Sequence, residues 1–213
     1  MLELKRGNLL GTQADAFVNT VNTEGVMGKG IALQFKKAFP TNYEAYRRAC
    51  ETGHVRVGKV FAYELGALLP RYILNFPTKK SWRRSSKLEF IREGLRDLVE
   101  QVRRLHIRSI AIPPLGCGNG GLEWSEVRPL IEAAFADLPD VRVLLFEPAG
   151  APTPAAMPNR TPRPRMTVGR AAVVALMNRY LVPGYEYPLS LLEVQKLAYF
   201  LQEAGEPSAP TTA

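Results

Sequence analysis

The residues with the clearest chemical pattern form a glycine-rich loop near the start of the chain. The apolar stretch 17–21 predicts a short buried strand, and Gly25, Gly28 and Gly30 follow it before a helix expected to begin near Ile31. Glycines let backbone N–H groups approach a ligand, and the helix dipole favours negative charge at the first turn. The glycine spacing fits neither the dinucleotide fingerprint nor the P-loop. The pattern therefore predicts an anion site of another kind.

Two asparagines stand where this predicted strand ends and the loop begins. Asn19 lies within the apolar stretch, and Asn22 directly follows it. Side-chain amides both donate and accept hydrogen bonds, so we expect these residues to contact the hydroxyl groups of a sugar beside the anion. For Asn22, the alternative is a structural role as the cap of the turn.

A second glycine-rich loop carries, together with the first, a resemblance to a known family. Residues 113–122 read P-P-L-G-C-G-N-G-G-L, between a predicted strand and a predicted helix. With V-N-T-V-N at 18–22 and G-V-M-G-K-G-I-A at 25–32, this pattern resembles the two ligand loops of macrodomains, the ADP-ribose-binding fold. P-T-K-K at 77–80 is similar to the branch that contains the terminal ADP-ribose glycohydrolase and the DarG-type DNA ADP-ribosyl glycohydrolases.

The resemblance implies which residues hold ADP-ribose. It places the pyrophosphate on backbone N–H groups of both loops and the distal ribose beside Asn22. Asn8 stands where macrodomains commonly have an aspartate that contacts adenine, so the contact expected here is an amide without charge. The expected substrate-binding residues are Asn8, Asn19, Asn22, Gly28, Lys29, Gly30, Ile31, Thr78, Leu115, Gly116, Cys117, Gly118, Asn119 and Gly120.

The same resemblance implies that a lysine performs the chemistry. Cleavage of the glycosidic bond at the distal ribose has an oxocarbenium-like transition state, and a neutral lysine can attack the anomeric carbon or assist proton transfer. We predict Lys80 as the catalytic residue and Lys79 as the second candidate. Asn119 follows G-C-G where the terminal ADP-ribose glycohydrolase has an aspartate, so nucleophile, base and electrostatic stabiliser all stay open for the lysine. Cys117 is not expected to be a nucleophile.

Residues 79–87, K-K-S-W-R-R-S-S-K, form a basic segment in which five of nine residues are Lys or Arg. Cations interleaved with an aromatic ring are typical of single-stranded nucleic-acid binding, where phosphates meet charge and a base stacks. The predicted nucleic-acid contacts are Lys79, Trp82, Arg83 and Arg84. The alternative is a solvated loop whose Trp82 folds back onto the core.

Alternating strand and helix patterns predict an α/β domain with a mixed sheet and helices on both faces. The macrodomain-like three-layer α/β/α arrangement comes from the resemblance. Strands are expected at 2–10, 17–21, 57–65, 71–76, 109–112 and 141–146, and helices at 31–39, from a capping box at 41–44, from a capping box at 86–89, and at 125–138. Apolar residues spaced by three and four in the third helix predict its core-facing side.

The sequence also predicts a division of the chain into a macrodomain at 1–148, a proline-rich linker at 149–165 and a helical segment at 166–213. Six prolines fall between 148 and 165, which is typical of an extended linker. Two helices follow, at 167–180 and 190–204, the second opened by a capping box at 190–193. Two helices bury little surface alone, so we expect a truncated C-terminal domain.

The function expected from the resemblance is removal of ADP-ribose from a base, thymine in DarG-type proteins, of single-stranded DNA. Such a protein acts as an antitoxin, so its expected partners are ADP-ribosylated single-stranded DNA, a DarT-type toxin, and free ADP-ribose as product. The alternatives are a non-catalytic ADP-ribose reader and a protein-directed ADP-ribosyl hydrolase.

Composition limits the remaining possibilities. Two cysteines and two histidines show no metal-ligand spacing, so neither a metal nor another cofactor is expected. No apolar run approaches the roughly 18 residues of a membrane span, and the N-terminus lacks a signal-peptide pattern, which favours a cytoplasmic location. The net charge of +8 agrees with a nucleic-acid partner.

Overall fold

The computed structural model describes residues 1–148, 158–161, 165–181 and 189–205. The chain divides into two compact units, Met1–Thr161 and Pro162–Ala213. Most of the predicted linker, 149–165, lies outside the described residues, so its boundaries stay a prediction.

The first unit is built on one six-stranded mixed sheet. Its strands are β1 (Leu2–Lys5), β2 (Ala16–Val21), β3 (Phe61–Glu64), β4 (Tyr72–Pro77), β5 (Ser109–Ile112) and β6 (Arg142–Phe146). They lie side by side in the order β1-β6-β5-β2-β4-β3, and every neighbouring pair is parallel except β3 with β4. The predicted α/β class with a mixed sheet is confirmed.

Helices cover both faces of the sheet, because apolar side chains of the central strands point alternately to one face and to the other. Val18 of β2 belongs to the hydrophobic cluster formed with α3 and α4, whereas its neighbour Phe17 belongs to the cluster formed with α1. The helices of this unit are α1 (Gly30–Ala38), α2 (Pro40–Glu51), α3 (Leu88–Arg104) and α4 (Trp124–Phe135). This arrangement confirms the three layers, and the buried side of α3 is the predicted apolar stripe.

The parallel strands β2, β4, β5 and β6 end at the same edge of the sheet. Ligands of open α/β sheets bind outside this carboxyl edge, because the connecting loops meet there. The first glycine-rich loop follows β2, the basic segment follows β4, and the second glycine-rich loop follows β5. The fold therefore brings together the three stretches that the sequence singled out.

Two predicted capping boxes are wrong, although the helices beside them exist. The helix expected from 41–44 begins at Pro40, whose missing N–H has no cost in the first turn. The helix expected from 86–89 has Lys87 as its N-cap, and no side chain caps it. Ser86 is instead buried next to the second glycine-rich loop. Local spacing predicted the helices, while tertiary packing decided their first residues.

The first and third predicted strands are shorter than expected. β1 ends at Lys5, because the side chain of Asn8 accepts a hydrogen bond from the N–H of Leu10 and caps a short 3-10 turn at Leu9–Gly11. β3 begins only at Phe61.

The second unit contains both predicted helices, α5 (Val168–Tyr180) and α6 (Leu191–Glu203), which contact each other. The capping box of α6 is confirmed, since Ser190 and Glu193 exchange side-chain and backbone hydrogen bonds. Neither helix contains a buried residue among those that the structure describes. This agrees with the expectation that two helices alone bury little surface.

Gly94 of α3 lies against the ring of Phe76, and this contact leaves no room for a side chain. A Cβ atom at Gly94 would stand 2.3 Å from Cζ of Phe76, which is fully buried. Alanine usually stabilises a helix by about 1 kcal/mol relative to glycine. Here we expect Gly94→Ala to lower the free energy of unfolding by about 1–3 kcal/mol, because the packed ring must move.

Urea unfolding measures this effect, and Gly11→Ala is the matched control. A Cβ atom at Gly11 meets nothing within 4 Å, so this variant should unfold like the wild type. Equal stability of Gly94→Ala and the wild type would contradict the prediction.

Candidate active site

A cavity of about 680 Å³ opens at the carboxyl edge of the sheet. This volume is in the range of small-molecule sites. Both glycine-rich loops and the start of the basic segment line it, together with residues at the ends of β1 and β6. The lining residues are Gly7, Asn8, Leu9, Thr20, Val21, Asn22, Val26, Gly28, Lys29, Gly30, Ile31, Ala32, Gln34, Thr78, Lys79, Trp82, Pro113, Pro114, Gly116, Gly118, Asn119, Gly120, Phe146 and Glu147.

The first loop presents the N-terminus of α1 to this cavity. α1 begins at Gly30, its N-cap Lys29 makes no side-chain cap, and no acidic residue lies in the first turn. The N–H groups of Gly30 and Ile31 donate to no acceptor among the described residues. Free N–H groups and a helix dipole at this position suit the anion that the glycine pattern predicts, and binding of an anion here stays a prediction.

The second loop is a tight turn whose backbone approaches itself closely. The N–H of Leu122 donates to the carbonyl of Gly116, which has φ +72°. A Cβ atom at Gly120 would stand 2.3 Å from that carbonyl oxygen, so only glycine fits. Within the described part of the chain, the N–H groups of Gly118, Asn119 and Gly120 have no acceptor. The loop therefore offers a second set of N–H donors to an anion.

The two glycine-rich loops lie close together where they line the cavity. A Cβ atom at Gly30 would be 3.0 Å from Nδ2 of Asn119, and Gly30 has φ +58°. A diphosphate that bridges the loops would meet N–H groups from both sides.

The structure places Lys79, not Lys80, in the cavity. Lys79 is half-buried, its Nζ donates to the backbone carbonyl of Asn119 at 2.9 Å, and burial lowers the pKa of its ammonium group. Lys80 is exposed and outside the lining, and its carbonyl accepts from Thr23. The geometry favours Lys79 over Lys80 and reverses the order expected from the sequence. Both lysines follow the end of β4 at Pro77, so the conformation of the loop decides which of them lines the cavity.

Asn19 does not reach the cavity. Its side chain is fully buried beneath the loop and donates from Nδ2 to Oδ1 of Asn75 at 3.0 Å. Asn19 therefore belongs to the interior polar contacts of the sheet, and its predicted contact with a sugar is not supported.

Asn22 lines the cavity but also holds the first loop in shape. Its Oδ1 accepts from the N–H of Glu24 at 2.9 Å, and its Nδ2 donates to the carbonyl of Val26 at 2.6 Å. These contacts correspond to the alternative role as a turn cap. Contact with the distal ribose stays a prediction.

Leu115 and Cys117 of the second loop do not line the cavity. Leu115 is fully buried in the core. Burial, followed by the nearby charge of Glu123, raises the pKa of the Cys117 thiol to about 11. The thiolate is therefore scarce at neutral pH, which agrees with the expectation that Cys117 is not a nucleophile.

Among the predicted nucleic-acid contacts, Trp82 lines the mouth of the cavity and is exposed. The guanidinium group of Arg83 lies 4.7 Å from the centroid of the Trp82 ring, and Arg84 is exposed. Trp82 does not fold back onto the core as the alternative for this segment expected, and contact with nucleic acid stays a prediction.

Sequence reasoning missed Phe146 and Glu147, which line the cavity at the end of β6, the strand that pairs with β1. The Glu147 carboxylate pairs with Nε of Arg6 at 2.7 Å. A signal was present, since Glu147 is the first polar residue after a buried strand and reaches the same edge as Asn22.

Comparison with known proteins agrees with the two-loop cavity. The Macro domain family profile matches residues 18–131. This chain belongs to the macrodomain family. The solved macrodomain of Mycobacterium tuberculosis DarG is 50% identical and superposes with a TM-score of 0.69, over 70% of this chain and 99% of that one. The resemblance to DarG-type macrodomains is confirmed.

The similarity extends beyond the macrodomain. A Thermus aquaticus protein named DNA ADP-ribosyl glycohydrolase is 54% identical over 96% of this chain and 57% of its own length. The structure of Thermosipho africanus DarTG in complex with ADP-ribose is 34% identical with a TM-score of 0.67, over 74% of this chain and 44% of that one. The chain thus spans little more than half the length of the curated Thermus relative.

The part of the chain that the structure describes contains neither a metal-binding cluster nor a membrane-spanning helix. No group of three or more His, Cys, Asp or Glu side chains is arranged there to hold a metal ion. In the same residues, no helix has the length and apolarity needed to cross a bilayer.

Proposed function

We propose that this macrodomain is a glycohydrolase that releases ADP-ribose from a nucleobase of DNA. The observation that carries the proposal is the position of Lys79, whose half-buried amine lies in the cavity and contacts the second loop at Asn119. The Thermus relative, at 54% identity, is named for this activity.

The cavity supports binding of ADP-ribose in one orientation. The N–H groups of the two loops suit the pyrophosphate, because backbone donors at a helix N-terminus and in a tight turn bind phosphate without an arginine clamp. Lys79 and Trp82 mark one end of the cavity, and Asn8, Phe146 and Glu147 mark the other. The distal ribose then lies near Lys79, and the adenine lies at the opposite end.

Lys79 is placed to act on the bond between the distal ribose and the base. The neutral amine either attacks the anomeric carbon and forms a glycosyl-lysine, which water then hydrolyses to free ADP-ribose and the amine, or it takes a proton from a water that attacks this carbon directly. In both routes the bonding electron pair leaves with the base, which takes up a proton. Burial favours the neutral amine, since removal from water disfavours the ammonium ion. As a cation, Lys79 would instead stabilise the departing base.

The proposed acceptor is thymine in single-stranded DNA. The basic segment supports this choice, because Trp82 and its neighbouring arginines stand exposed at the cavity mouth. A DarT-type toxin is the proposed biological counterpart, and the DarTG name of the Thermosipho structure supports it. In this role the protein reverses the modification that the toxin makes.

The deciding experiment measures release of ADP-ribose by the purified chain from two substrates at equal concentration. One is a thymine-modified single-stranded oligonucleotide, and the other is an ADP-ribosylated protein. We expect release from the oligonucleotide alone. Release from the protein alone would establish the protein-directed hydrolase, and tight binding of ADP-ribose without any release would establish the reader.

A further inference from the structure

Two adjacent residues of the first glycine-rich loop, Thr23 and Glu24, form hydrogen bonds to the basic segment. The N–H and hydroxyl of Thr23 both donate to the carbonyl of Lys80, at 3.1 Å and 2.9 Å. One oxygen of the Glu24 carboxylate accepts from the Ser81 hydroxyl at 3.0 Å and from the N–H of Trp82 at 3.2 Å. These hydrogen bonds fix the backbone of the residues directly after Lys79.

This contact fixes the backbone of Trp82, whose ring stands at the cavity. Trp82 is 48% exposed at the cavity mouth, and Arg83 packs over its ring. A nucleobase stacks well on an indole ring that is exposed in this way. Because its backbone N–H donates to Glu24, the backbone of Trp82 is held close to Lys79, the proposed catalytic lysine.

We propose that Glu24 is a positioning residue for the acceptor. Its carboxylate orders Trp82 as a stacking platform for a base of the DNA strand next to Lys79. The inference rests on the proposed function for its substrate, and it adds a residue that neither touches ADP-ribose phosphates nor takes part in bond cleavage. The platform acts on the strand and not on the ADP-ribose group.

Because Glu24 is charged, a positioning role can be distinguished from an effect of its charge on DNA binding. A carboxylate beside a basic segment repels the phosphates of a nucleic acid, so removal of its charge alone should strengthen DNA binding. Loss of the two hydrogen bonds should weaken DNA binding, because the stacking ring must then be ordered by the ligand. The two explanations predict opposite signs for Glu24→Ala.

The experiment uses the full chain carrying Trp124→Phe, which leaves Trp82 as the single tryptophan reporter. Binding of an unmodified oligothymidine is followed by quenching of Trp82 fluorescence at fixed salt, and binding of ADP-ribose is followed by calorimetry. We expect Glu24→Ala to weaken oligothymidine binding roughly tenfold, as for loss of part of one stacking contact, with ADP-ribose affinity within about twofold of the parent. Glu24→Gln should restore most of the binding, since its amide oxygen still accepts.

Turnover and a double variant complete the test. Glu24→Ala should raise KM for the modified oligonucleotide with little change in kcat. In a Trp82→Ala background, Glu24→Ala should have no further effect on KM, because the two residues act through one contact. Oligothymidine binding by Glu24→Ala as tight as, or tighter than, that of the parent would overturn the inference.

The positioning role of Glu24 and the proposed glycohydrolase function can each fail without the other. If the parent releases no ADP-ribose, the fluorescence measurement still reports whether Glu24 orders a stacking platform. If the parent releases ADP-ribose and Glu24→Ala changes neither oligothymidine binding nor KM, the glycohydrolase stands and the positioning role is wrong.

Discussion

Lys79→Ala is expected to slow release of ADP-ribose from a modified oligonucleotide by roughly 10²–10⁴-fold, the usual contribution of a group that transfers a proton or attacks directly. Lys80→Ala is expected to keep most of the activity. The reason is geometric, since the Lys79 amine lies in the cavity 2.9 Å from the Asn119 carbonyl and Lys80 is exposed outside it. Single-turnover release by each variant measures the difference.

Lys80→Ala is a closely matched control for this test. It removes an equal positive charge one residue away, and it keeps the backbone carbonyl through which Lys80 contacts Thr23. ADP-ribose affinity should change little in either variant, because the backbone of the two loops holds the pyrophosphate. Loss of release in Lys80→Ala with activity retained in Lys79→Ala would contradict the assignment.

The pH dependence of release separates the roles open to Lys79. Burial lowers the pKa of this amine below the ordinary lysine value of 10.5. The neutral fraction of the amine therefore rises with pH and approaches one above that lowered pKa. A nucleophile or base must be neutral, so the rate should rise with pH and level off before the ordinary lysine range. Lys79→Arg should then be inactive, because arginine stays charged. Activity in Lys79→Arg would show an electrostatic role.

Gly120→Ala is expected to lower ADP-ribose affinity by roughly 10- to 100-fold. Its Cβ atom would stand 2.3 Å from the Gly116 carbonyl and 2.3 Å from Oγ of Ser86, so the second loop must change shape. Each hydrogen bond to a charged group contributes about 1.5–3 kcal/mol, and displacement of one or two N–H donors accounts for the loss. Calorimetric titration with ADP-ribose measures it.

A second glycine of the same loop controls for stability. A Cβ atom at Gly118 meets nothing within 4 Å, so Gly118→Ala should unfold at the wild-type denaturant midpoint. Gly120→Ala should show both a lower midpoint and weaker binding. Wild-type ADP-ribose affinity in Gly120→Ala would show that the close approach in this loop is not required for the site.

Much of the binding site could be predicted from the sequence, because its parts are local. The two glycine-rich loops each follow a strand, and parallel strands must end at one edge, so their meeting in one cavity follows from the element order. The family could be identified for the same reason, since its ligand loops are continuous stretches of sequence. Periodicity alone predicted the α/β class.

The structure departs from the expectations where a contact depends on direction or on distant residues. Spacing could not decide which of Lys79 and Lys80 lines the cavity, because both follow the end of β4 at Pro77 and the loop conformation sets their directions. Asn19 matched the motif, yet its place within β2 directs it to Asn75 in the interior. Both wrong capping boxes had the correct residue types, but capping also requires a backbone conformation that packing sets.

The sequence by itself determined the fold class, the family and the two glycine-rich loops, because each is encoded in residues that are close along the chain. Only the tertiary structure shows that Lys79 lines the cavity, that the Glu24 carboxylate accepts from the N–H of Trp82, and that Glu147 also lines the cavity. Glu24 and Trp82 are joined by a hydrogen bond across more than fifty residues of chain. Such a pairing exists only after β2 and β4 have come together in the sheet.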